Sequence, residues 1–438
     1  MSLPMVASRA AQRVRDDLAD PLFRNAYALM LATAATSGLG IVYWVAAARL
    51  YSEREVGQAS AIVAAMLMLS NVAQLNLSSG LIRFLPRSGP SAFRLVRAAY
   101  LGSAAAAVVL AAGLLLVANR LSTHLQFLTS SSWIAVGFVV GTATWCVFSL
   151  QDAALTGLRR TPWVPVENAA FGLVKVLLLL GFAGVLPHGG VLLSWLVPMV
   201  VALVPVNVFL FGRAIPAERA AYRPAVGTDP AGTVEAAPHS MREIARFVSI
   251  DYVGTLFGHA CTTALPLIVV AVAGAEANAH FYMAWTVATA LDLIAVNTAI
   301  SLTVEGAHDR DALARRRRDA LRRCLRLLLP AVAVVVLLAP TLLHAFGSGY
   351  ADASTVLRLL ALAVVPRAVV LIYLASLRVE RRLGPVVAAQ AGTCVLMLAG
   401  TFLLLPVLSV TGVGVAWLVT QLAVAAVAGP AMRWQTNQ

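Results

Sequence analysis

Residues 97–118 read RAAYLGSAAAAVVLAAGLLLVA, one arginine followed by an unbroken run without a charged side chain. A bilayer core about 30 Å thick is crossed by roughly 20 apolar residues in helical conformation, so this stretch predicts a membrane-spanning helix. Lipid offers no partner to backbone amides, so only helices and closed barrels cross it. The continuous apolarity here excludes a barrel strand, whose hydrophobicity alternates over about ten residues. Similar runs predict spans over 24–49, 57–82, 132–156, 165–186, 190–212, 245–273, 279–303, 325–345, 353–377, 384–407 and 410–431. With 97–118 these make twelve, an all-α membrane protein. The composition agrees: of 438 residues 60% are apolar and only 12% charged, a balance foreign to a water-soluble domain of this length.

The net charge of +13 raises nucleic acid as a partner, but the placement of the charges argues against it. Most basic residues fall at alternate ends of the spans: Arg9, Arg13, Arg15 and Arg24, then Arg83 to Arg97, Arg159 and Arg160, Arg213 to Arg246, Arg310 to Arg326, Arg378 to Arg382, and Arg433. The opposite loops hold only Arg49, Arg54 and Arg120. This is the positive-inside pattern, and with an even number of spans it predicts cytoplasmic N- and C-termini and a bacterial cytoplasmic membrane. Residues 1–23 mix Arg with Asp16, Asp17 and Asp20 around no apolar core, so they read as a cytoplasmic amphipathic segment rather than a signal peptide. Cys146, Cys261, Cys324 and Cys394 lack any Cys-x-x-Cys spacing, which indicates neither disulfides nor a zinc site.

Residues 214–243 are Pro-, Ala- and acid-containing without apolar periodicity, a cytoplasmic linker between an N-lobe (24–213) and a C-lobe (244–438). Sliding the second half back by 222 residues lays Arg246 on Arg24 and the short loop around Glu276 on that around Glu55. The repeat is one of hydropathy, not residue identity. Six spans per half give both halves the same orientation, related by an axis along the membrane normal with a central cavity between them. The loop after the eighth span, with Arg315 to Arg318, Arg322, Arg323 and Arg326, reads as long and basic, suited to topology retention and anionic headgroups.

No HExxH, GxxxxGK[ST], GxGxxG or GxSxG pattern stands in a suitable context, so nothing supports a zinc site, ATP hydrolysis or a serine nucleophile. No cofactor is indicated, and transport driven by a gradient is the expectation. The informative residues are the charges inside spans: Lys175, Asp251, Asp292 and Arg367. Each costs about 2.5–3.5 kcal/mol at a helix centre and must face a partner or water. Lys175, the only lysine, either aims at an anionic substrate or pairs with Asp152 or Glu167. Asp292 and Arg367 either form an ion pair that fixes packing, or serve separately, Asp292 for proton or sodium coupling with Asp251 and Arg367 for substrate.

Asn71, Gln74 and Ser78, and then Asn76, Ser79 and Arg83, recur at helical spacing on the second span. Tyr252, Thr255, His259 and Thr262 do so on the seventh, and Trp285, Thr289 and Asp292 on the eighth. Such stripes line a cavity or make interhelical hydrogen bonds.

At the first two spans the chain reads Arg-Asn-Ala-Tyr at 24–27, ARLYSEREVGQASA at 48–61 and LIRFLP at 81–86. Ala48, Arg49, Leu50 and Gly57, then Arg83, Phe84 and Pro86, resemble the oligosaccharide flippase branch (Wzx-type, polysaccharide biosynthesis proteins) of the multidrug/oligosaccharidyl-lipid/polysaccharide exporter superfamily. The resemblance implies a two-lobe transporter that moves a polyprenyl-pyrophosphate-linked glycan between leaflets by alternating access, driven by an H+ or Na+ gradient or the membrane potential, beside polysaccharide-assembly proteins. It makes Lys175, Arg24, Arg49, Arg83 and Arg367 the candidates for the anion, with Asn71, Gln74 and Asn76 toward the sugars.

Three rivals remain. A multidrug antiporter of the same superfamily would present carboxylates such as Asp251 and Asp292 to its cavity. A major-facilitator transporter would carry a Gly-x-x-x-Asp-Arg-x-Gly loop after the second span, which residues 83–97 lack. A membrane-embedded glycosyltransferase would need an acidic pair or a large outer loop, and the longest outer loop here spans about 119–131.

Overall fold

A computed structural model describes residues 21–221, 252–308 and 313–434 apart from positions 161, 255 and 381. Every described element is helical and no strand occurs among the described residues. The chain runs α1 (Pro21–Leu50), α2 (Glu53–Ala73), α3 (Leu77–Phe84), α4 (Ala92–Leu121), α5 (Ser132–Gly157), α6 (Trp163–Ala183), α7 (Gly190–Phe209) and α8 (Ile215–Ala221). It continues with α9 (Leu265–Ala273), α10 (Ala275–His308), α11 (Leu313–Leu337), α12 (Ala339–His344), α13 (Ser354–Val379), α14 (Leu383–Leu408) and α15 (Val410–Trp434). Among the described residues ten helical stretches are long and apolar enough to cross a membrane, one of them Tyr252–Ala273, of which α9 is the last part. With α1, and with α11 and α12 in line, this is the predicted layout of twelve spans, and the protein is a multi-pass integral membrane protein.

The packing follows from sequence. Large apolar side chains point outward, Leu116 and Val407 being 79% and 78% exposed, which in water would be a liability and in lipid is the solvated face. The interior is filled by aromatics such as Tyr43, Phe138, Phe148 and Phe281 and by alanines on α2 and α13 that let backbones approach. Within the first half α4 packs on α5, α1 on α6 and α6 on α7; within the second, α10 and α15 flank α13 and α14 lies on α15. The main contact between halves is α2 against α10, with α9 beside it.

Three expectations change. The second span is not one helix: Leu75 and Asn76 take left-handed φ of 48° and 57°, breaking it between α2 and α3. The two polar stripes therefore do not run along one continuous surface. The basic loop after the eighth span is also helical: Arg315 to Arg326 lie in α11, where charges on one face and Leu or Ala on the other make an amphipathic entry to the membrane. The first residues of the linker belong to α8, which reaches Ala221 through a π-helical turn at Leu210–Ala214.

The hairpin turns of α1/α2 and of α9/α10 meet at one end of the molecule. Ser52 caps α2, accepting from the Glu55 amide at 3.2 Å. Gly274, at φ +89°, allows the sharp entry into α10. Asn278, fully buried, donates to the Gly57 carbonyl at 2.8 Å and to Ser60 Oγ at 2.9 Å. Gly57 touches the backbone of Ala275 so closely that a β-carbon would overlap its carbonyl oxygen. Glu53 meets His280 at 3.1 Å, and Ser122 donates to the Ala271 carbonyl at 2.6 Å. The two halves are thus closed on each other at this end.

Candidate transport cavity

Between the halves lies a cavity of about 270 Å³. Its walls come from α2 (Ala64, Leu67), the α9 span (Thr262, Thr263, Pro266), α10 (Tyr282, Trp285, Ala288, Thr289, Asp292), α13 (Leu360, Val364, Arg367) and α15 (Trp417). Arg367 Nε donates to both Asp292 oxygens, at 2.9 and 2.8 Å. Of the two alternatives open for these residues, the ion pair is the one found. Both side chains keep some exposure to the cavity, 20% for Arg367 and 16% for Asp292. The Arg367 guanidinium also lies over the Trp417 ring at 5.1 Å, a favourable placement for a cation.

Nε carries the whole of the contact with Asp292, so the two Nη groups retain their donor capacity toward the cavity. Around them Trp285 stands edge-on to Trp417 at 5.2 Å and Tyr282 to Trp44 at 4.7 Å. Threonines complete the wall, their hydroxyls donating to backbone: Thr262 and Thr263 to the His259 carbonyl and Thr289 to that of Thr286. The cavity is therefore aromatic and weakly polar, with one paired charge.

The remaining candidates fall elsewhere. Lys175 meets neither Asp152 nor Glu167, and it does not line the cavity. It is 6% exposed inside the N-terminal bundle, its Nζ 4.1 Å from the Trp195 ring, 4.5 Å from Tyr43 and 5.3 Å from Phe171. Three ring faces stand in for a counter-ion, each worth about 0.5–2 kcal/mol against a larger desolvation cost. Lys175→Met is accordingly expected to fold with an unchanged or higher thermal midpoint, since methionine fills the cage without a charge to desolvate. A fall of several degrees in a detergent melting assay would show that the ammonium is held by more than rings.

Arg49 reaches across the closed end, its Nε donating to the Ala345 carbonyl at 2.9 Å and Nη2 to that of His344 at 2.8 Å. It satisfies orphan carbonyls at the end of α12 and sits where the helix dipole favours a cation. Arg83 is exposed at the end of α3, over the Phe84 ring at 5.6 Å. Gln74 is 6% exposed and accepts from Ser78 at 2.9 Å, while Asn76 accepts from Ser79 at 2.8 Å in the backbone break. Asn71 is half-buried on α2, off the cavity wall. Tyr252 donates to the Val72 carbonyl at 2.9 Å, joining the halves. Asp251, Thr255 and the side chain of Arg24 lie outside the described residues.

Tyr282 and Trp417 were not expected here. Tyr282 continues the Trp285, Thr289, Asp292 stripe by one turn and was legible at that spacing; Trp417 sits in an apolar span whose other residues give no sign of a cavity.

No family model matches the chain, and no curated protein matches its sequence. Solved structures do. An inward-facing MATE family multidrug resistance transporter of the MOP superfamily aligns over 91% of this chain and 94% of its own, with a TM-score of 0.65 at 14% identity. The lipid II flippase MurJ, in an inward closed conformation, aligns over 92% of this chain and 87% of its own, with a TM-score of 0.71 at 11% identity. A MOP superfamily transporter from Pyrococcus furiosus aligns over 93% and 94%, with a TM-score of 0.60 at 14% identity. The chain therefore has the fold that these MOP superfamily transporters and flippases share.

Proposed function

We propose that this protein is a flippase that carries a polyprenyl-pyrophosphate-linked oligosaccharide from the cytoplasmic to the outer leaflet of a bacterial cytoplasmic membrane, in cell-surface polysaccharide biosynthesis. The observation that carries the reading is the state of the charges in the cavity. The Asp292 carboxylate is occupied by Arg367, so a cationic drug finds no free anion there, whereas the Arg367 Nη groups offer a forked pair of donors to phosphate oxygens. Tyr282, Trp285 and Trp417 supply flat apolar faces against which sugar rings stack, and the threonines supply hydroxyl-scale polarity. A prenyl tail would stay in lipid between the N-lobe (24–213) and the C-lobe (244–438), which the linker 214–243 joins.

The basic ends of the helices are taken as cytoplasmic, so the closed end with Arg49 and Gly57 is outermost and the cavity belongs to an inward-facing state. The arginines of α3 and α11 then stand at the membrane surface from which an anionic lipid enters. An inside-negative potential assists outward movement by about 2.3 kcal/mol per anionic charge per 100 mV.

In proteoliposomes with an imposed potential, the expected result is leaflet exchange of a fluorescent polyprenyl-pyrophosphate sugar without uptake of a hydrophobic cationic dye. Dye uptake without sugar-lipid exchange would replace this reading with that of a cation-coupled multidrug antiporter.

A further inference from the structure

The end at which the halves meet is held by two kinds of contact. Asn278, Ser122 and Arg49 reach across it with an amide, a hydroxyl and a guanidinium, none of which changes charge near neutral pH. His280 is of the other kind: its Nε2 meets Glu53 Oε2 at 3.1 Å, an imidazole of the second half against a carboxylate of the first. Histidine is the side chain whose charge ordinarily changes between about pH 5 and 8, so this link, alone among those named, changes strength over that range.

The carboxylate has a shaped seat in the opposite half. A β-carbon on Gly349, in the turn Gly349–Ala353, would collide with Glu53 Oε1, so the absence of a side chain there leaves the carboxylate its place. Tyr350 of the same turn, 1% exposed, stands edge-on to the His280 ring at 5.3 Å and backs it on that side. His280 and Glu53 keep side-chain exposures of 22% and 39%, so a proton reaches the pair from water. The other charged groups nearby point elsewhere or into solvent. Arg54 beside Glu53, Glu276 one turn before His280, and Asp352 on the turn are exposed, while Arg358 of α13 donates to the Val336 carbonyl of α11. Three more histidines lie at this end: His188 stands 3.8 Å from Glu55 within the first half, His124 lies against Gly274, and His344 is exposed at the end of α12. Among the described residues none of the three pairs with a carboxylate of the opposite half.

We propose that His280 and Glu53 form a pH-responsive latch between the two halves. The partner is in place only while this end is closed, so the closed form holds the imidazole proton more tightly than the open form does. By linkage, a fall in pH favours closure and a rise loosens it. The latch acts whatever substrate the cavity takes. That it senses the outer medium rests on the orientation taken under the proposed function, and a test that reads conformation rather than transport keeps the two apart.

Single-molecule fluorescence on the full chain in nanodiscs reads the lifetime of the closed end, with dyes on Gln126→Cys and Ser348→Cys. Both positions are exposed, uncharged and on opposite halves, and the four native cysteines are buried. A partly exposed ion pair shifts an equilibrium by a few-fold, so going from about pH 8 to about pH 5 is expected to lengthen the closed lifetime about two- to fivefold. His280→Gln and Glu53→Gln, which keep hydrogen-bonding capacity without the charge, abolish this response, and Gly349→Ala, which pushes the carboxylate off its seat, reduces it. His188→Gln and His124→Gln leave it intact. Where wild-type openings are too rare to time, Arg49→Ala removes the guanidinium link, and the same response is read in that background. A closed lifetime indifferent to pH there would overturn the latch, as would a response that survives His280→Gln or disappears with His124→Gln.

Discussion

Replacing Asp292 with asparagine is expected to lower stability by about 2–4 kcal/mol, because it strands the Arg367 guanidinium near the middle of the membrane. Arg367→Met should cost a similar amount by stranding Asp292. The double substitution should recover most of the loss, since it removes both charges at once and leaves Trp417 and Trp285 to pack against apolar groups. The residual cavity exposure of both side chains puts the effect below that of a fully buried pair. The predictions separate at the level of transport. With the Nη groups meeting pyrophosphate, the double variant regains its thermal midpoint and still fails to exchange the sugar-lipid. Exchange returning together with stability would reduce the pair to a packing device and remove Arg367 from the substrate site.

Gly57→Leu should have the second large effect, and by a different route. The β-carbon would overlap the Ala275 carbonyl oxygen; its position is fixed by the residue 57 backbone and its partner is backbone, so no side-chain rotation relieves the clash. The closed end must then open. Spin labels at Arg54 and Glu276, both exposed on the two hairpins, are expected to move apart by several ångströms, and exchange to fall about tenfold or more, equivalent to about 1.4 kcal/mol or more, at normal abundance. Gly57→Ala should show the same sign with a smaller amplitude. Arg49→Ala removes only hydrogen bonds at an exposed position, worth about 0.5–1.5 kcal/mol, and should leave most molecules closed. An unchanged label distance in Gly57→Leu would mean that the halves tolerate a different closed packing.

Much of this architecture was legible in the sequence because lipid imposes one rule on every span. Apolar runs of about twenty residues marked the helices. The same signal missed the break at Leu75–Asn76, because φ carries no trace in hydropathy. It also misread the start of α11, where Arg315 to Arg326 look like loop until their helical spacing is considered. The Asp292–Arg367 pair was visible as two charges that lipid would not accept singly, but its geometry was not. Lys175 shows the limit most clearly: charge logic sought a carboxylate for it, whereas its cage joins Phe171, one turn back on the same helix, to Tyr43 and Trp195 from two other helices whose approach no local pattern reveals. Arg49 and Gly57, read from a family resemblance as an outer-loop motif, turn out to sit where the two halves touch.

In the alternating-access reading proposed above, that contact would serve as the fulcrum. Gly57 and Ala275 meet at one tip of α10, which is 34 residues long and so extends about 50 Å at 1.5 Å per residue. A rotation of about 10° at the pivot sweeps the far tip through about 9 Å on that length, about the interaxial distance at which packed helices lie. A displacement of a fraction of an ångström beside Gly57 is thus magnified into a gap wide enough for a whole helix at the basic rim. A residue without a side chain at the pivot is what lets so small an adjustment set so large an opening.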